Sequence, residues 1–170
     1  MTEPQVSLLP CGKRLHLHHG PIDLIVEAFG APVEVQKTYR QAGEAFQTVL
    51  SVLVEELPDL RRSDGQAYTR IKGPVAQKMV RAVAPHASVF VTPMAAVAGA
   101  VADYILSAMT EDRNLSRAYV NNGGDCALFL APGEAFNLGA VAENQFGTIR
   151  VSSEDDVRGG CCGDFDRKCH

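Results

Sequence analysis

The chain contains no tryptophan, and aromatic residues make up only 6% of it. It also lacks a basic excess. The formal charge is -4 at pH 7, so neither a nucleic-acid groove nor an anionic membrane surface is favoured electrostatically. The longest apolar stretch, Met94 to Met109, is too short to span a bilayer comfortably and is interrupted by Asp103 and Ser107. The first residues, MTEPQVSLLPCGKR, carry neither a basic n-region nor a sustained apolar h-region, and no secretory signal is readable. A Gly-x-Ser-x-Gly elbow, a Gly-x-Gly-x-x-Gly fingerprint and a Walker sequence are all missing. These absences remove a hydrolase elbow, a dinucleotide loop and a P-loop from the readings that sequence motifs support. The expected address is the cytoplasm, where thiols stay reduced, with no nucleic-acid and no membrane partner.

What is present is ordinary for a globular chain: 170 residues, 46% hydrophobic and 21% charged, enough for one domain with a substantial core. Of five cysteines, Cys11 and Cys126 are isolated, and Cys126 lies inside an apolar run where a thiol acts as a small hydrophobe. Cys161, Cys162 and Cys169 crowd the end beside His170, at spacings that do not match zinc sites.

Periodicity assigns the elements. Leu15 and Leu17 alternate with His16 and His18, and after His19-Gly20-Pro21 the alternation resumes through Ile22, Leu24, Val26 and Ala28. Two strands joined by a tight turn follow. His16 and His18 share one face at strand spacing, where they either meet solvent or share a metal. From Tyr39 to Leu57 the apolar residues recur at three and four, which predicts one amphipathic helix at about 39–57, ended by Pro58. Residues 61–74 read as loop, and Pro74 opens a shorter helix over 74–84. Thr92 and Pro93 start a third helix, at about 92–109. Strands resume at 118–121 and 126–130, residues 134–147 read as loop, and 147–152 as strand. The fold class is α+β, a mixed or antiparallel sheet packed with helices.

Two segments stand out as ligand contacts. The third helix is almost wholly small over Ala95, Ala96, Ala98, Gly99, Ala100 and Ala102. Gly99 costs a helix interior about 1 kcal/mol against Ala. Small residues allow close helix packing. Alternatively, the helix start at Thr92, Met94, Ala95, Ala96 and Gly99 faces an anion with open backbone N–H groups. The second segment is Asn121, Asn122, Gly123, Gly124 and Asp125. It is a hairpin signal with more permissive backbone than a two-residue tip needs. Asp103, inside the apolar helix, is either a buried carboxylate with a partner or a surface residue near Arg113 or Arg117.

FVTPMAAVAGAVAD at 90–103 and AYVNNGGDCALFL at 118–130, with HLHHGPIDLIVEA at 16–28, resemble an uncharacterised family of bacteria and archaea. That family belongs to the ApbE-like superfamily and is remotely similar to the ApbE FAD:protein FMN transferases. The resemblance covers most of residues 10–158. It implies an ApbE-like domain over 1–158. It also implies a flavin or other nucleotide-type ligand, FAD or FMN with Mg²⁺, held at the 92–99 and 121–125 segments. If the chain is an enzyme, the resemblance implies FMN transfer; no catalytic or metal residue is assigned. This sequence departs from the enzymes' pattern in lacking their lysine near Ala98 and Gly99. The resemblance also stops near Arg158, so residues 159–170 are expected to be a non-family tail without order, produced by truncation or frameshift. The alternative is an inactive fragment or an interaction module, with an open sheet edge that drives homo-oligomer formation.

Overall fold

Alternation of period two builds the main sheet. The structure, a computed structural model, describes residues 3–155 apart from 66, 143 and 144. Strands β1 (Gln5–Leu8), β2 (Leu15–His19) and β3 (Ile22–Gly30) are followed by helices α1 (Pro32–Phe46), α2 (Val49–Leu60), α3 (Pro74–Val83) and α4 (Val97–Thr110). Strands β4 (Leu115–Asn122), β5 (Asp125–Leu130), β6 (Ala135–Ala142) and β7 (Gln145–Ser152) complete the order. β1 to β5 form one sheet in sequential order, and β6 and β7 a separate two-stranded one. Every pair is antiparallel. The α+β class is thus what the alternating and helical periods dictate.

The helices pack on one face of the five-stranded sheet. Leu17, Leu24, Val26, Ala118, Val120 and Ala127 line that face and are fully buried. Against them lie Ala42 and Phe46 of α1, Met79 of α3, and Ala100, Val101, Ile105 and Met109 of α4, in one continuous core. Each such side chain contributes about 1.5–3 kcal/mol when withdrawn from water. The small residues of α4 let it lie close to β4 and β5. The 18-residue stretch Pro93–Thr110 is long and apolar enough to cross a membrane by length and composition. Most of it is buried inside this protein core instead.

The other face of the sheet carries His16, His18, Asp23, Glu27 and Arg117 among Ile25, Phe29, Leu128 and Leu130, and is covered at one end by the β6–β7 hairpin. Phe136 meets Phe29 and Tyr119 edge-on, each with ring centroids 5.9 Å apart. Arg117 lies over both phenyl rings, 4.6 Å from Phe29 and 5.2 Å from Phe136.

The structure corrects four boundaries. The helix expected over 39–57 is two helices, broken at Gln47 and Thr48, and it begins earlier, at Pro32. Pro58 lies inside α2 rather than ending it; its missing N–H forgoes one bond to the preceding turn, and the helix ends two residues later at Leu60. The third helix opens as a 3₁₀ turn over Pro93–Ala96, and α4 proper starts at Val97. Residues 134–147, expected as loop, supply β6 and the start of β7. The expectation for the 159–170 tail lies outside the described residues.

Candidate functional site

A cavity of about 350 Å³ opens between α2 and the start of α4. One wall is Leu50, Leu53, Val54, Leu57 and Leu60 of α2; the other is Met94, Val97, Ala98 and Val101. Pro21 and Ile22, from the β2–β3 turn, and Asn122, at the end of β4, close one end, and Arg61 contributes the charged side chain of the lining. The local sequence explains the gap. At Ala98 the α4 wall carries only a methyl group, while Gly99, Ala100 and Ala102 turn into the core and let the helix sit close to the sheet. Volume and lining are those of a small-molecule site, apolar with few polar groups.

The two segments singled out in the sequence do meet. Asn122 Nδ2 donates to the Ala98 carbonyl at 3.0 Å, tying the end of β4 to the first turn of α4. Met94 and Asn122 therefore share the cavity wall. The remaining expected contacts lie elsewhere. Thr92 is extended and makes no side-chain cap, and the Ala95 N–H donates to its carbonyl at 3.0 Å. The open N–H row expected at 94–96 is thus interrupted at its middle. Ala96 and Gly99 are buried in the packing, and Ala95 is exposed.

The glycines of the turn have a local cause. β4 and β5 pair up to Asn122 opposite Asp125, so the tip is Gly123 and Gly124 alone. Their φ values are +62° and +111°, the two positive angles that a primed two-residue hairpin demands. Both are exposed, and a Cβ at either would meet nothing within 4 Å. Asn121 Oδ1 accepts the Gly124 N–H at 2.9 Å, which braces the tip. Asn121 and Asp125 are half-buried strand residues, outside the cavity lining.

Other candidates resolve by face. His16 and His18 point to the side of the sheet away from the helices, whereas His19 is buried on the helix side, its ring 6.4 Å from Phe46 and edge-on. Asp103 is buried. Arg113 and Arg117 pair instead with Glu34 (3.3 Å) and Glu134 (3.4 Å). Cys126 is half-buried, and desolvation, with Asp125 nearby, pushes its thiol up. Cys11 is exposed. Hydrogen bonding from the Lys13 backbone, then from the Arg14 side chain and backbone, lowers its thiol to about 7.

The α2 wall was not among the residues expected at a site. Leu50, Leu53, Val54 and Leu57 read as one amphipathic stripe with a core to cover. The available signal was width: α2 also carries Val49, Val52 and Leu60, more apolar surface than a single core-facing stripe requires, and Val54 remains 45% exposed.

The family model for AbpE bacteria matches residues 6–164. The chain belongs to the AbpE bacteria family. This corrects the ApbE-like resemblance: the matching family bears a different name, and nothing ties the chain to the ApbE superfamily or to archaea. The two motifs behind that resemblance have local explanations in this fold, a small-residue helix packed on a sheet and a glycine pair at positive φ. The AbpE bacteria match also runs beyond Arg158, where the resemblance stopped. No curated protein and no solved structure matches the chain.

Proposed function

We propose that this AbpE bacteria family member binds a small ligand with a flat apolar ring system and a polar or anionic end, such as a flavin or another nucleotide-type molecule. The cavity between α2 and α4 carries the reading. Its aliphatic walls suit the faces of a ring system, because they remove apolar surface from water on both sides. Asn122 is oriented by its bond to the Ala98 carbonyl, which leaves its Oδ1 to accept from a ring N–H. Arg61 stands where an acidic end leaves the cavity, as a fixed cation with planar donors. FMN transfer and Mg²⁺ rested on the ApbE resemblance alone and form no part of the proposal. A cytoplasmic address belongs to it, since flavin nucleotides are abundant there.

The test is titration of riboflavin, FMN and ADP, followed by ligand fluorescence or calorimetry. FMN should bind saturably. Ala98→Leu, which extends a side chain into the cavity, should weaken it at least tenfold, about 1.4 kcal/mol, with unchanged circular dichroism. Arg61→Gln should weaken FMN more than riboflavin. Absence of binding by all three ligands, or equal affinity in Ala98→Leu, would overturn the reading and leave the cavity to an interaction partner.

A further inference from the structure

On the face of the β2–β3 hairpin turned away from the helices, two imidazoles and a carboxylate converge. His16 and His18 are two residues apart on β2, and Asp23 is the cross-strand partner of His18 on β3. His16 Nε2 lies 3.0 Å from Asp23 Oδ1, and His18 Nδ1 lies 3.3 Å from Asp23 Oδ2. One ligand atom from each of the three falls within 4.8 Å of the others. We propose that His16, His18 and Asp23 bind a borderline divalent transition-metal ion of the Zn²⁺ type, with solvent completing the coordination.

Three observations support this assignment. The first is spacing: ligands held about 2.0–2.1 Å from a tetrahedral Zn²⁺ stand roughly 3.4 Å apart; the two histidine-to-carboxylate distances are close to that, and all three ligand atoms fall within 4.8 Å of one another. Small side-chain rotations suffice to admit an ion. The second is His18 Nδ1, which is shielded from solvent and has no hydrogen bond; the 3.3 Å approach to Asp23 lacks the required alignment. With the ring proton on Nε2, that nitrogen offers a cation its lone pair. The third is rigidity. On the opposite side of the same two strands, Leu17 and Leu24 are fully buried. Slippage by one residue would expose them, so the register that aligns His18 with Asp23 is fixed by the core.

The donor set defines the ion. Two imidazoles with one carboxylate suit Zn²⁺, Co²⁺, Ni²⁺ or Cu²⁺, whereas Mg²⁺ and Ca²⁺ require mostly oxygen ligands. Three protein ligands leave a position open to water or an anion. The site is independent of the cavity, which lies on the helix side of the sheet.

The experiment is a Zn²⁺ titration against a chromophoric chelator, in the full chain with Cys11, Cys161, Cys162 and Cys169 replaced by Ser so that exposed or clustered thiolates do not compete. One equivalent should bind. His16→Gln, His18→Gln and Asp23→Asn should each lower affinity at least tenfold, while His86→Gln leaves it unchanged. Metal-free melting should be alike in all four. In the chain with its histidines intact, Co²⁺ should shift the imidazole proton resonances of His16 and His18. No stoichiometric binding, binding untouched by the three substitutions, or Co²⁺ shifts confined to other histidines would overturn the assignment.

Discussion

The two faces of the β2–β3 hairpin are made by the same two stretches of chain, five and nine residues long, yet they differ in packing and in chemistry. Leu15, Leu17, Leu24 and Val26 look inward and are almost fully withdrawn from water. His16, His18 and Asp23 look outward and are paired with one another. A strand's period of two separates packing from chemistry at single-residue resolution. The inward face fixes where the outward groups stand, and the outward groups contribute little to holding the fold. α4 shows the same division on a helix: Ala100, Ala102 and Ile105 are core, while Ala98 on another side borders the cavity.

That contrast predicts a graded series of substitutions. Leu24→Ala, at a fully buried inward position, should lower unfolding free energy by about 2–5 kcal/mol, measured by urea denaturation. Gly73→Ala comes next. A Cβ there would stand 2.7 Å from Val52 Cγ1 and 2.6 Å from Glu56 Oε2. Glu56 also accepts the N–H groups of Lys72 and Gly73 at the start of α3, at 2.6 and 3.0 Å. Overpacking of this kind costs about 1–3 kcal/mol, and a loss of α3 amide protection in hydrogen exchange should accompany it. Gly124→Ala should cost about 1 kcal/mol through its positive φ alone. Since space is open there, FMN affinity should not follow. At the small end, His16→Gln without metal should change stability by no more than about 0.5 kcal/mol. If it matches Leu24→Ala instead, the division of labour between the faces is wrong.

Cysteine reactivity offers a probe that does not depend on stability. With its thiol lowered to about 7, exposed Cys11 should be alkylated by iodoacetamide at a rate that climbs through neutral pH as the thiolate forms. Cys126, pushed the other way by burial, should lag at every pH. Equal rates for the two at pH 7 would contradict the Cys11 turn geometry.

How much of this was readable beforehand depends on what buried each segment. The two hairpins and α3 were legible because alternation or helical spacing coincides with burial. β1 was not, because its polar–apolar alternation runs for only four residues, Gln5–Leu8, and as an edge strand it buries none of them. The early start of α1 was hidden because its first fully buried residue is polar: Thr38 donates to the Met109 carbonyl at 3.2 Å. The break at Gln47 and Thr48 escaped because Phe46, Val49 and Leu53 keep helical spacing across it. β6 and the start of β7 were obscured by Gly139 and Gly147, which weaken a strand pattern, whereas 147–152 was legible as strand. At the site, sequence singled out the α4 start and the 121–125 turn as ligand contacts, and of the residues named there Met94 and Asn122 line the cavity. The other wall was invisible, since an aliphatic residue facing a cavity and one facing a core look alike in sequence. Asp23 was missed as a partner of His16 and His18 because register, not spacing along the chain, brings it there.

A ring-bearing ligand is proposed to occupy the cavity between α2 and α4. Methyl-resolved NMR during FMN titration tests this proposal most directly. Saturable shifts are expected at Leu50, Leu53, Leu57, Met94, Val97 and Val101, with Ile25 and Ile149, on the other sheet face and the β6–β7 hairpin, left in place. Shifts centred on that second group, or none at millimolar FMN, would contradict it.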